Sequence, residues 1–185
     1  MSVTFLATGF EPFAEHRINS SWEALARLRE RWSERDVVML RLPVDHVAAH
    51  EALRRALNEH RPRAVLCTGL CRYGFQFERW ARRPRALAHV DGDPTLEGSW
   101  PWQELRDELA RTGVLACESW DAGQYVCEST YWSLLAFRAQ HRYPEHAAFL
   151  HVPPLSREEP LERTADAVGR VIEARLRALR SSAAP

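Results

Sequence analysis

Short apolar runs alternate with longer amphipathic ones along the 185-residue chain. No other feature constrains the fold as much. Residues 3–8, 36–42, 64–68, 114–118 and 148–152 read as strands, with Gly69 ending the third and Pro153-Pro154 the last. Residues 20–32, 45–60, 100–111, 124–140 and 158–180 read as helices, because apolar residues recur there at spacings of three and four. In the first helix the stripe is Trp22, Leu25, Leu28 and Trp32, with Ser20 or Ser21 as cap. Asp45 caps the second, whose stripe is Val47, His50, Leu53 and Leu57. The last turns Leu161, Ala165, Val168, Ile172 and Leu179 inward. Strands that alternate with helices of this length imply a mostly parallel sheet covered on both faces.

The length suits one domain over 1–185, with 181–185 a frayed tail and no internal repeat or linker. Residues 80–99 show little periodicity, and long connections of that kind lie over the active-site edge of an α/β sheet. Trp80, Trp100 and Trp102 are candidates either for a homo-oligomer contact or for covering the core.

Charge and hydropathy exclude several classes. Lys+Arg and Asp+Glu both number 25, so the chain lacks the basic excess that binds nucleic acid by counterion release. No run approaches the ~18 apolar residues of a membrane span. The opening residues lack a charged n-region, and an apolar run of about five is too short for a signal peptide. Cys67, Cys71, Cys117 and Cys127 therefore read as reduced thiols of a cytoplasmic protein. No second Cys/His pair at ligand spacing follows Cys67 and Cys71, so no metal site is expected.

Three residues carry candidate chemistry. Asp121-Ala122-Gly123-Gln124-Tyr125-Val126-Cys127 is a turn signal followed at once by a helical pattern, which puts Cys127 in a helix's first turn. Unpaired amides and the positive dipole end favour a thiolate there. His151, in Phe149-Leu150-His151-Val152-Pro153, falls at the C-terminal end of a buried strand, the edge where helix starts and strand ends meet. Glu78 lies among the aromatics of Phe75-Gln76-Phe77-Glu78-Arg79-Trp80 and could fix the tautomer of such a histidine. Each has a plain structural alternative: a packing cysteine, a satisfied core histidine, a surface charge beside Arg79. Phe10 and Phe13, in Thr8-Gly9-Phe10-Glu11-Pro12-Phe13, could form a slot for a small flat ring or a lid on the core.

These segments together resemble a known family. Residues 8–13 (TGFEPF) and 19–23 (NSSWE) look like the N-terminal signature of pyroglutamyl peptidase I, the pyrrolidone-carboxylate cysteine peptidases. Residues 72–79 (RYGFQFER), 121–127 (DAGQYVC) and 149–153 (FLHVP) are similar to the family's segments around its catalytic Glu, Cys and His, in that chain order. The resemblance implies a three-layer α/β/α sandwich with a mostly parallel, mixed central sheet. It implies Cys127 as nucleophile, His151 as general base and acid, and Glu78 as orienter. Phe10, Phe13 and Asn19 match positions lining the pocket for the lactam ring, and Arg72 is assigned with them to substrate binding. The implied reaction releases an N-terminal pyroglutamyl residue from a small peptide or amide through an acyl-enzyme, with no cofactor.

The departures from the family pattern lie near the substrate. Ala14-Glu15 replaces Gly-Gly, Ser20 replaces Pro, and the segment after Trp80 is shorter. Arg85 is the best counterpart there for the family's oxyanion-stabilising Arg. Glu128 replaces an Asn, and a carboxylate beside Cys127 disfavours thiolate. The alternatives are the same chemistry on another small cyclic or acyl amide, and a non-catalytic binding descendant.

Overall fold

The computed structural model describes residues 4–14, 17–33 and 36–182. Val3 of the first expected strand, Glu15 of the Ala14-Glu15 pair and residues 183–185 of the expected tail lie outside them. Among the described residues eight strands form: β1 (Phe5–Phe10), β2 (Val37–Leu42), β3 (Ala64–Leu70), β4 (Gln76–Glu78), β5 (Trp80–Arg82), β6 (Thr95–Glu97), β7 (Cys117–Ser119) and β8 (His146–Val152). The helices are α1 (Ser20–Leu28), α2 (His46–His60), α3 (Trp102–Ala110), α4 (Val126–His141) and α5 (Leu161–Ser181).

Six strands make one sheet in the order β2-β1-β3-β8-β4-β7. The first four run parallel, and β4 pairs antiparallel with β8. Successive side chains of a strand point to opposite faces, so each central strand feeds two cores. Phe5 and Ala7 of β1 face a layer that includes Leu25 and Leu28 of α1, Leu105 of α3, and Val168 and Ile172 of α5. Leu6 and Phe10 face the opposite layer, with Leu53 and Leu57 of α2 and Trp132 and Phe137 of α4. The expected three-layer α/β/α arrangement with a mixed sheet is therefore present.

Local chemistry explains the helix starts. The Asp45 carboxylate accepts the N–H groups of Val47 and Ala48 at 3.0 and 2.8 Å. Asn19 caps α1 by accepting from Ser21 N at 3.2 Å. Both satisfy amides that a helix start leaves unpaired. Helix α4 is buried over residues 126–137, on nearly every side. It is wedged between the sheet, α2 and a hairpin of β5 and β6, which pair antiparallel outside the main sheet.

Several expected boundaries change. Gly69 does not end β3, which continues to Leu70 and pairs Gly69 with His151. Strand pairing, not propensity, extends it. The expected helix 20–32 is α-helical only to Leu28 and ends in a 3-10 turn, Arg29–Arg31. The last helix begins at Leu161 rather than at 158: Pro160 is its cap, and a proline disfavours helical backbone in the residue before it. The expected strand 114–118 is the short β7, held by a parallel pairing with β4. Strand β4 and the hairpin were not expected: at three residues each they are too short to show a period. Phe10 belongs to β1, not to the following loop. Trp100 covers the core, edge-on to Phe5 at 6.0 Å, whereas Trp80 stacks on Trp120 at 6.5 Å.

Candidate active site

Two neighbouring strands and one helix start bring the three candidate residues together. His151 is next to last in β8, and β4 runs antiparallel beside it. The register pairs Gln76 with His151 and Glu78 with Phe149, so Glu78 and His151 are diagonal neighbours on one face. Long side chains reach across such a diagonal. The Glu78 Oε1 to His151 Nδ1 distance is 2.7 Å. At 4% and 5% exposure the pair is shielded from water, so Glu78 is no surface charge. Neighbouring Arg79 turns away to Glu97 and Glu118.

Cys127 is the second residue of α4, 8% exposed. On the other side of β8, β3 places Gly69 opposite His151. A Cβ on Gly69 would lie 2.8 Å from Cys127 Sγ and 2.9 Å from Phe149 Cζ. Glycine is thus what lets the thiol enter the groove beside the imidazole. With Nδ1 occupied by Glu78, Nε2 is the nitrogen left for Cys127. Burial alone would pull the imidazole down, but the neighbouring Cys127 thiol and the hydrogen bond to Glu78 outweigh it and hold His151 up at about 10. The ring also packs edge-on against Phe149 at 4.9 Å. A thiol, an imidazole and a buried carboxylate in this sequence can generate a thiolate–imidazolium pair of fixed orientation.

The start of α4 adds a second element. Its cap, Tyr125, makes no side-chain bond to the helix amides. Such N–H groups, at the positive end of a helix, can stabilise an oxyanion forming next to Cys127. Beside them opens a cavity of about 510 Å³, bordered by His46, Arg82, Arg83, Arg85, Gln124 and Glu128 among others. The hairpin forms one wall by docking on α4. Glu128 accepts the Arg82 N–H, and Trp132 Nε1 donates to Asp93 O at 2.9 Å.

The remaining sequence candidates are spread around this centre. Phe10 is buried in the same apolar cluster as Cys127. Phe13 is half-buried in the following turn. Asn19 is buried, and its Nδ2 donates to Glu11 O at 3.0 Å while its Oδ1 takes the Ser21 hydroxyl at 2.8 Å. Both of its polar groups thus build the loop. Arg72 is exposed and lies over the Tyr73 ring. Arg85 borders the cavity. Glu128 turns toward Arg82, and burial pushes its carboxyl up to about 7. At neutral pH a large share of it therefore carries no charge to oppose a thiolate. Gly69 and His46 were missed: a glycine at a strand end reads as a stop, and a lone His at a helix start gives no signal.

A model of the pyroglutamyl peptidase family matches residues 3–83 and 85–184. The chain belongs to the pyroglutamyl peptidase family. Among its relatives, the pyrrolidone-carboxylate peptidase of Gloeobacter violaceus is 35% identical over 81% of this chain and 81% of its own length. That of Thermococcus kodakarensis is 30% identical over 85% and 84%. The solved pyrrolidone carboxyl peptidase of Pyrococcus furiosus superposes with a TM-score of 0.81 at 25% identity, covering 95% of this chain and 99% of that one. The pyroglutamyl peptidase I of Bacillus amyloliquefaciens shares the fold, with a TM-score of 0.80 at 23% identity over 95% and 96%. Family membership thus accounts for the ordered segments seen in the sequence.

Proposed function

We propose that this protein is a cysteine-type omega peptidase that releases an N-terminal pyroglutamyl residue from peptides. The observation that carries the reading is buried His151, held by Glu78 at 2.7 Å on one nitrogen, with Cys127 of the α4 start beside it. It occurs in a chain that the family model matches almost end to end. Cys127, as thiolate, attacks the carbonyl of the pyroglutamyl amide. Amides of the first turn of α4 receive the oxyanion. His151 then protonates the departing amine, leaving a thioester on Cys127, and next draws a proton from the water that hydrolyses it. Glu78 keeps the imidazole in the productive tautomer and offsets its positive charge. Phe10 and Phe13 supply apolar surface for the ring, Asn19 fixes their loop, and the exposed Arg72 contributes to substrate binding. We place the enzyme in the cytoplasm on its four free thiols. No helix among the described residues is long and apolar enough to cross a membrane.

The test is hydrolysis of pyroglutamyl-7-amido-4-methylcoumarin beside its prolyl analogue. The lactam form is expected to be cleaved and the prolyl form not, since proline lacks the ring carbonyl and leaves polar groups of the site unpaired. Equal cleavage of both would sink the lactam assignment. Cleavage of neither, with Cys127 still alkylated by iodoacetamide, would move the same chemistry to another small amide.

A further inference from the structure

Beyond the scissile bond the substrate continues as a peptide, which needs room beside Cys127 and His151. One exposed cluster stands there. The loop of residues 71–75 joins β3 to β4 next to His151: Cys71 N donates to Val152 O at 2.8 Å, and Gln76, the first residue of β4, pairs with His151. At the other end of the loop Phe75 is buried, and its carbonyl accepts Cys117 N at 3.0 Å. Gly74, at a φ of 96°, makes the turn between these anchors. Arg72 and Tyr73 are therefore the tip of a loop held at both ends by the sheet, the arrangement in which loop residues bind. On the helix that carries the nucleophile, Tyr125 is the cap, two residues before Cys127.

None of these three side chains is needed by the core. Tyr73 is 69% exposed and Tyr125 76%, and Arg72 is exposed as well. Tyr and Arg are among the side chains that carry most binding energy at protein surfaces. Arg72 Nη2 donates to the Tyr73 hydroxyl at 2.6 Å, and the guanidinium lies 4.8 Å from the centre of the Tyr73 ring. It makes no ion pair among the described residues. The Tyr73 hydroxyl, with Cys71 and Tyr125 as further neighbours, holds its pKa above the ordinary arginine value, and no carboxylate contributes. Arg79 and Arg82 differ in this respect, being engaged by Glu97, Glu118 and Asp121. The guanidinium of Arg72 presents several N–H donors and the Tyr73 bond takes one, which leaves a charged fork of the shape a carboxylate accepts.

We propose that Arg72, flanked by Tyr73 and Tyr125, is the subsite for the departing peptide and selects peptides that carry a carboxylate next to the scissile bond. That carboxylate is the C-terminus of a pyroglutamyl dipeptide or an acidic side chain in the residue after pyroglutamate. The inference rests on the proposed function and names the part of the substrate that Arg72 reads. One residue advances a chain by at most ~3.6 Å, so a carboxylate on that residue stays close to the reacting groups and to the loop beside them. The two ends of the substrate are then read by different physics, the uncharged ring by apolar surface and the departing peptide by charge.

The experiment compares two pairs of substrates that differ only in a carboxylate or its amide, with the released amine followed by chromatography. One pair is pyroglutamyl-alanine and pyroglutamyl-alaninamide. The other is pyroglutamyl-glutamic acid α-amide and pyroglutamyl-glutaminamide. At an ionic strength of about 20 mM the acid of at least one pair should have a KM about three- to tenfold below that of its amide, with kcat within about twofold. The pair that shows the difference tells the C-terminus from the side chain. Salt at about 0.5 M should bring the ratio toward one. Arg72→Gln should abolish the preference, and Arg72→Lys, which keeps the charge but not the fork, should keep part of it. Equal KM within both pairs for the wild type, or a preference that survives in Arg72→Gln, would overturn the inference and leave the proposed function standing. A wild type that cleaves none of the four while Cys127 is still alkylated by iodoacetamide would overturn both.

Discussion

Gly69→Ala is the most informative single change, because its cost follows from distances. The added methyl would lie 2.8 Å from Cys127 Sγ and 2.9 Å from Phe149 Cζ, about 0.6 and 0.5 Å inside the 3.4 Å at which ordinary contact begins. Both neighbours are buried and packed: Phe149 between Tyr131 and His151, Cys127 on the first turn of α4. Overpacking of this kind costs about 1–3 kcal/mol. For a domain of this size that lowers Tm by roughly 2–12 °C. The catalytic loss should be larger than the stability loss explains. A nucleophile displaced by about half an ångström to an ångström from its line of attack loses on the order of 10²-fold in rate. Differential scanning fluorimetry gives the first quantity and hydrolysis of the pyroglutamyl coumarin amide, well below Tm, the second. If kcat/KM stays within threefold of wild type while Tm falls, Phe149 alone has yielded, and Gly69 is not what seats the thiol.

Three further expectations concern the same site. Limiting iodoacetamide should label Cys127 first, since the His151 imidazole beside it can take the thiol's proton and leave the reactive thiolate. Cys67 should react last, because burial pushes its thiol up to about 12, and peptide mapping that finds Cys117 or Cys71 ahead would contradict the ion pair. Glu78→Gln should cut kcat by on the order of 10⁴, the cost of a wrong tautomer in the serine-protease triad, while His151→Ala should leave almost nothing; wild-type activity in the Gln variant would reduce Glu78 to a packing residue. Glu128 binds its proton more tightly folded, at about 7, than unfolded, at about 4.3. The folded chain therefore loses stability as pH rises through that window and regains none above it. Glu128→Gln should match the wild type in urea at about pH 4.5 and exceed it by on the order of 1–2 kcal/mol at pH 8; an equal difference at both pH values would show that the carboxyl does not titrate there.

Some of this protein could be read from residue order alone. The long buried strands β1, β3 and β8 and the amphipathic α1, α2 and α5 announce themselves, because a strand buried on both faces must be apolar throughout and a helix on a sheet must repeat every 3.6 residues. The turn before Cys127 and the apolar run around His151 are equally local signals, and they suffice to put one residue at a helix start and the other at a strand end. Their meeting is not local. It depends on β4, three residues long and antiparallel to β8, whose register alone carries Glu78 to His151. The same holds for the β5–β6 hairpin that walls the cleft, for Gly69, which reads as a stop and serves as a space, and for Glu128, whose unpaired oxygen exists only once Arg82 is docked on α4. Period and composition encode which surfaces must be buried. Which short strand pairs with which, and where a missing side chain leaves room, is settled by contacts between residues tens of positions apart, and those energies exist only in the assembled fold.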